Sequence, residues 1–336
     1  MRAAIFKGAH APLEIEHIED PTPGPAEAVI KVGRCGICGS DISMTCGSAM
    51  DYPPGTILGH EYAGEVVAVG RNVEHLRPGD NITALPAQGC GACAACLSGY
   101  PLGCPSMSGM LGGFGEYLRV AESSAIKLPS TLSLADGALV EPLAVGLHGV
   151  ILAEMAPCCR VLVLGAGSVG LAALYWSRHL GAGKIVAASP SARRRDIALA
   201  MGADAFETLG DGESERINAA LGGPPDLVLE CAGAKGVLGK AIELVRPGGT
   251  IVSLGFCTSP DPIVPAIATW KRVTMKFSLA YTLADFEHAA DMLDRGHVEP
   301  RLMISDTIGL DSLPAMFEAL RAGTPQTKVH VEPWQM

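Results

Sequence analysis

Clusters of positive charge are almost missing from this chain. Its 25 Lys and Arg stand against 35 Asp and Glu, a formal net charge of -10, and the one short basic run is Arg193–Arg195. Phosphate backbones are gripped by stripes of Lys and Arg, so this balance argues against a nucleic-acid partner. Charge of either sign is sparse at 18% of residues, beside 48% hydrophobic residues, which excludes a disordered chain and requires a buried core. The N-terminal stretch MRAAIFKGAHAPLEIEHIED has no apolar run of signal-peptide length, so cytoplasmic residence is the expectation. Val161–Ser177 is free of charge, but Gly165, Gly167 and Gly170 break it early, as suits a strand, a turn and a helix start better than a membrane span. No membrane partner is expected, and no internal repeat is found. The cysteines number 11, which is odd; without an export signal they point away from a disulfide framework and towards thiolates that bind metal.

At 336 residues the chain exceeds the ~250–300 at which single cores stop growing, so two domains are expected. Residues 1–148 read as short apolar segments between Pro and Gly punctuation: Ala28–Val32, Gly64–Val69, Asn81–Leu85, Glu116–Val120 and Ser124–Leu128. That pattern predicts a β-rich, barrel-like domain. Over residues 149–283 strand and helix alternate, from RVLVLG through KIVAAS and DLVLECAG to TIVSLGF, which predicts a parallel sheet covered by helices. Two amphipathic helices, Leu283–Arg295 and Leu310–Arg321, and a short strand KVHV follow, and residues 284–336 are expected to rejoin the first domain. The fold class is α/β.

The strongest motif is Cys90, Cys93, Cys96 and Cys104 in one Gly- and Ala-rich loop. Four thiolates at these spacings can close a tetrahedron around Zn²⁺, and with no open position such a zinc is structural. A nucleic-acid zinc module has the wrong surroundings, since no Lys or Arg lies between Arg77 and Arg119. A second set is dispersed: Cys38 in GICGSD, His60 and Glu61 in GHE, and Glu141 in EPLAVGLHG. Thiolate, imidazole and carboxylate from separate segments form the mixed sphere that leaves zinc a position for water or substrate, which is what catalysis needs. The third motif is GAGSVG, with Gly165, Gly167, Ser168, Val169 and Gly170, directly after RVLVL and opening a helix. Its glycines allow a tight turn and close approach of backbone to a pyrophosphate, and the helix N-terminus favours the negative charge.

With GICGSD, GHE, EVVAVG, RPGD, the four-cysteine loop, GGFGEY, LVEPLAVGLH, GAGSVG, LECAG and RPGGTIVSLG in this order, the chain resembles the medium-chain zinc dehydrogenases, and within them the sorbitol, threonine and butanediol dehydrogenase branch. The resemblance implies a GroES-like catalytic domain, a Rossmann cofactor domain, a catalytic zinc in the cleft between them, and NAD or NADP as cofactor. It makes Cys38 and His60 zinc ligands, with Glu61 and Glu141 as direct or water-bridged carboxylates, and leaves open which of the two touches the metal. It makes Asp41 the group that orients a ligand, the imidazole of His60, and Ser40 the hydroxyl that passes the substrate proton outward. Cys231 of LECAG and Leu254 of RPGGTIVSLG fall at the cofactor. Two zinc ions per chain and a small alcohol or ketone substrate follow. Two alternatives, a zinc-independent quinone or enoyl reductase and a non-catalytic zinc and nucleotide binding protein, would differ in metal content and turnover.

Two departures from the family matter. A histidine often found a few residues beyond the serine is replaced here by Ser43 and Met44, so the proton relay is expected to end in water. The carboxylate that NAD enzymes place after the second Rossmann strand is missing, its position falling at Ala188 or Ser189. Ser189, a helix starting at Pro190, and Arg193 or Arg194 could instead bind a 2′-phosphate, so NADP preference is expected. Met44, Tyr52, Met110, Leu111 and Phe114 are candidates for an apolar substrate pocket. A homodimer or homotetramer is expected, through sheet edges near Thr250–Phe256 and Thr274–Ala280.

Overall fold

Alternating burial along the strand Glu27–Gly36, with Ile30 and Val32 at 0% exposure on either side of exposed Lys31, marks a β-strand with one face on a core. The computed structural model describes residues 1–48 and 50–335. The chain divides into two units, Met1–Glu141 with Thr282–Met336, and Pro142–Tyr281.

In the first unit, a seven-stranded sheet runs in the order Ile304–Gly309, Lys328–Glu332, Glu27–Gly36, Glu61–Val69, Asn81–Ala84, Ala125–Lys127, and Tyr117–Ala121 also pairs with Glu27–Gly36. All its pairings are antiparallel except that of Ile304–Gly309 with Lys328–Glu332. Ile30, Tyr62, Ile82, Phe114, Phe317 and Val331 form the centre of its core, each contributing about 1.5–3 kcal/mol by leaving water. The last strand of the chain is therefore an inner strand, with Gly36 opposite His330 and Glu61.

The second unit is a six-stranded parallel sheet, Ala205–Thr208, Lys184–Ser189, Arg160–Leu164, Leu227–Glu230, Thr250–Ser253, Thr274–Phe277, that is, the doubly wound order 3-2-1-4-5-6. Its strands are apolar runs because the inner ones are covered on both faces, with Leu162, Leu164, Val186, Val228 and Ile251 fully buried. The charge-free segment Val161–Ser177 resolves into the strand Arg160–Leu164 and the helix Ser168–His179.

Two expectations need correction, and one helix was not foreseen. After the second strand of this sheet no helix starts at Pro190: Ser191 is extended, a 3₁₀ turn covers Ala192–Arg194, and the α-helix is Arg195–Ala200. Of the two segments expected at a sheet edge, Thr250–Ser253 is an inner strand and only Thr274–Phe277 is an edge, opposite the other edge at Ala205–Thr208. The helix Leu134–Leu152, which carries Glu141, has no sign in the sequence pattern. It is apolar on every side, without the stripe of a half-buried helix, and contains Pro142. Among the described residues it alone is long and apolar enough to cross a membrane, and 72% of that stretch is buried within the protein, as in a core helix.

Candidate functional site

The first site is built at the ends of two paired strands. Glu61 opens its strand opposite Gly36, His60 precedes it, and Cys38 follows the end of Glu27–Gly36 at the cap of the short helix Gly39–Ser43. Ligating atoms of Cys38, His60 and Glu61 all lie within 4.8 Å of one another. Asp41 Oδ2 accepts from the Cys38 N–H at 3.0 Å, which fixes the loop, while its Oδ1 stands 3.2 Å from His60 Nδ1. That second approach is an ion-pair distance off the line of a hydrogen bond. Ser40 Oγ is 3.4 Å from His60 Nε2. Burial alone would push the imidazole down, but the Asp41 and Cys38 charges outweigh it and hold His60 well above its ordinary pKa.

Glu141 is buried at 6% exposure and stands outside this tight set, although its charge is felt at Tyr52 and Lys328. Tyr52 is half-buried, and burial pushes its phenol up. Two of the supposed pocket residues belong to the interior instead: Phe114 is fully buried in the core, and Met110 is 6% exposed.

The four-cysteine loop assembles by itself. The sulfurs of Cys90, Cys93, Cys96 and Cys104 lie within 4.8 Å of one another, with Cys93 and Cys96 3.5 Å apart. Tetrahedral zinc with ~2.3 Å bonds needs sulfurs ~3.8 Å apart, so the set fits the ion. N–H groups of Ala92 and Cys93 draw the Cys90 thiol down to about 6, while burial raises Cys96 to about 11. A Cβ on Gly89 would stand 2.4 Å from Cys96 Sγ, so only glycine lets the loop close there.

In the second unit the turn after the first strand meets the demands of a dinucleotide. Gly165 has φ +97°, and a Cβ there would strike Ala232 N at 2.9 Å; on Gly170 it would strike Gly165 O at 1.9 Å. At Gly167, the cap of the helix Ser168–His179, the nearest atom to such a Cβ is Arg194 Nη1 at 3.9 Å, so the outer face of the turn is open for a phosphate. Val169 lies in the first turn of that helix. Arg194 is partly buried with Nη1 3.4 Å from Ala166 O, whereas Arg193 is exposed with Nε 3.3 Å from Ser191 Oγ. Ser189, Cys231 and Leu254 each stand at the carboxyl end of a strand or just beyond it, the edge where such folds bind ligands.

Residues 24–130 match the alcohol dehydrogenase GroES-like domain, and residues 168–295 match the zinc-binding dehydrogenase domain. The chain is 30% identical over 305 residues to L-galactonate-5-dehydrogenase of Escherichia coli, with 89% of each chain covered. To sorbitol dehydrogenase of Bacillus subtilis it is 30% identical, with 99% of this chain and 97% of that one covered. The chain belongs to the zinc-type alcohol dehydrogenases of the medium-chain family. Among solved structures, the dehydrogenase matches a zinc-binding dehydrogenase from Sinorhizobium meliloti bound to NADP at a TM-score of 0.87 and 32% identity, covering 99% of each chain. It matches 2R,3R-butanediol dehydrogenase from Bacillus subtilis at a TM-score of 0.86 and 30% identity, again over 99% of each. It is a zinc-dependent oxidoreductase acting on alcohols.

Sequence reasoning passed over one residue of this dehydrogenase's site. Lys328, 1% exposed on the last strand, donates to both carboxylate oxygens of Glu61 at 2.6 Å and to the Ile37 carbonyl at 3.1 Å. Burial would lower its pKa, but the Glu61 and Cys38 charges outweigh that and raise it, favouring the ammonium form of Lys328. The available signal was a Lys and a His alternating in a four-residue strand that otherwise reads as core.

Proposed function

We propose that the dehydrogenase holds two zinc ions per chain and oxidises polyols or other secondary alcohols with a preference for NADP⁺. Cys38, His60 and Glu61 would hold the catalytic ion, with Glu141 as a further or water-bridged carboxylate, and the four cysteines would hold the structural one. The observation that carries this reading is the convergence of thiolate, imidazole and carboxylate within 4.8 Å beside a partly exposed Cys38. Zinc held there would supply Lewis acidity, making a nearby hydroxyl more acidic by roughly 12 kcal/mol, enough for its proton to leave at neutral pH. Ser40 is the hydroxyl that takes the proton and passes it outward to water, Ser43 and Met44 offering no imidazole beyond it. Asp41 holds both the Cys38 backbone and the His60 ring in place.

The polyol class is supported by relatives named for sorbitol, D-xylulose and L-galactonate. NADP preference is supported by Ser189 in place of a carboxylate and by Arg194 beside the open glycine turn, where the neighbouring Arg193 charge would be relieved by a phosphate. We place the protein in the cytoplasm as a homodimer or homotetramer, joined along the edge strand Thr274–Phe277, where Phe277 is 69% and nearby Trp270 89% exposed. Metal analysis with a panel of polyols, diols and ketones against both cofactors tests the reading. Two zincs per chain and a higher kcat/KM with NADP⁺ are expected. One zinc without turnover would identify a binding protein, and an NAD⁺ advantage would remove the cofactor preference.

A further inference from the structure

Glu230 ends the fourth strand of the parallel sheet at 2% exposure, beside the point where the strand order reverses. Its Oε1 accepts from the N–H groups of Ala232 and Gly233, each at 2.8 Å, and its Oε2 from Ser253 Oγ at 2.9 Å. These partners are all neutral, and among the described residues Glu230 forms no ion pair. It stands where two turns meet backbone to backbone: a Cβ on Gly255 would lie 2.2 Å from Gly233 N and 2.7 Å from Glu230 Oε2. Both oxygens only accept, from two N–H groups and a hydroxyl, which is the bonding pattern of a carboxylate, and its field reaches whatever lies on those turns.

In a doubly wound sheet, the adenosine end of a dinucleotide lies towards the second strand and the pyrophosphate on the first turn, which leaves the nicotinamide for the turns after the fourth and fifth strands. Those are the turns Glu230 ties together. The oxidised nicotinamide ring carries a positive charge and the reduced ring none. We propose that Glu230 is a positioning residue whose charge, facing no cation, makes the site favour the oxidised over the reduced cofactor, drawing the equilibrium between bound species towards alcohol and oxidised cofactor. This rests on the cofactor reading above. A unit charge acting on another through a partly wetted interior changes affinity by on the order of tenfold.

Glu230→Gln keeps the shape and an oxygen acceptor for the two N–H groups while removing the charge. Dissociation constants for NADP⁺, NADPH, NAD⁺ and NADH, measured by fluorescence titration of the zinc-loaded enzyme, should show the oxidised forms weakened against the reduced ones on the order of tenfold. ADP-ribose, which lacks the ring, should bind wild type and variant alike. Equal changes in both redox forms, or none, would reduce Glu230 to a structural brace and overturn the proposal. Ser253→Ala, which strips one neutral donor and leaves the charge, should retain the preference for the oxidised form, and its loss there would also overturn the proposal should the Gln variant fail to fold. Wild-type protein that binds neither redox form would instead remove the cofactor reading, and this inference with it.

Discussion

Replacing Lys328 by Met tests how the site is held together. Lys328 and Glu61 are each 1% exposed at the side chain, and both 2.6 Å contacts of the pair run to the same ammonium group. Met fills a similar volume but, in protein stripped of metal, leaves the Glu61 carboxylate buried and uncompensated, which in comparable cases costs about 3–5 kcal/mol. The first unit has about 200 residues and an unfolding entropy of roughly 0.4 kcal/mol/K, so its transition should fall by roughly 7–12 °C. Glu61→Gln combined with Lys328→Met removes both charges and should recover most of that loss. Urea unfolding and calorimetry of the wild type, both single variants and the double variant give the cycle. A Lys328→Met protein within 1 kcal/mol of wild type, or a double variant as unstable as it, would refute the pairing.

Other tests reach further parts of the molecule. His330 is fully buried, and burial followed by the Lys328 and Arg34 charges takes its pKa down to about 3, below the ~6.5 of an unfolded chain. The unfolded state binds the extra proton, so stability is complete above pH ~6.5 and is lost as pH falls towards 3, by roughly 3 kcal/mol at pH 4. His330→Leu should flatten that acid limb of the urea midpoint, and parallel limbs would contradict the assignment. Cys104→Ser should lower the zinc content by one ion per chain and destabilise the cysteine lobe; unchanged metal content would show that the four sulfurs do not share an ion. Arg194→Ala should reduce the NADP⁺ to NAD⁺ ratio of kcat/KM by roughly 10- to 150-fold through a lost charge-assisted contact, and an unchanged ratio would free Arg194 from that role.

What could be read from the chain depended on range. The cysteine lobe and the glycine turn are short local motifs, and their residues lie together in the structure within one loop or one strand-turn-helix. The parallel sheet announced itself because strands covered on both faces are continuous apolar runs. The helix Leu134–Leu152 gave no such sign, since a helix apolar all round has no period to detect. Lys328 could not be paired with Glu61 from sequence, because 267 residues separate them and only the inner position of the last strand brings them together. Phe114 and Met110 looked like pocket residues for the opposite reason: an apolar side chain near a site motif reads the same whether it faces a ligand or the core.

The inner place of Lys328–Glu332 has a consequence for biosynthesis. A ribosome emits residues 27–69 long before it releases the segment that must slot beside them and neutralise Glu61. Until residues 328–332 have emerged, the nascent sheet carries a gap beside Glu27–Gly36 and Glu61 lacks its Lys328 partner. The Cys38, His60 and Glu61 cluster thus depends on a strand whose Lys328 comes 267 residues after Glu61, whereas the four cysteines of the other cluster all lie within 15 consecutive residues.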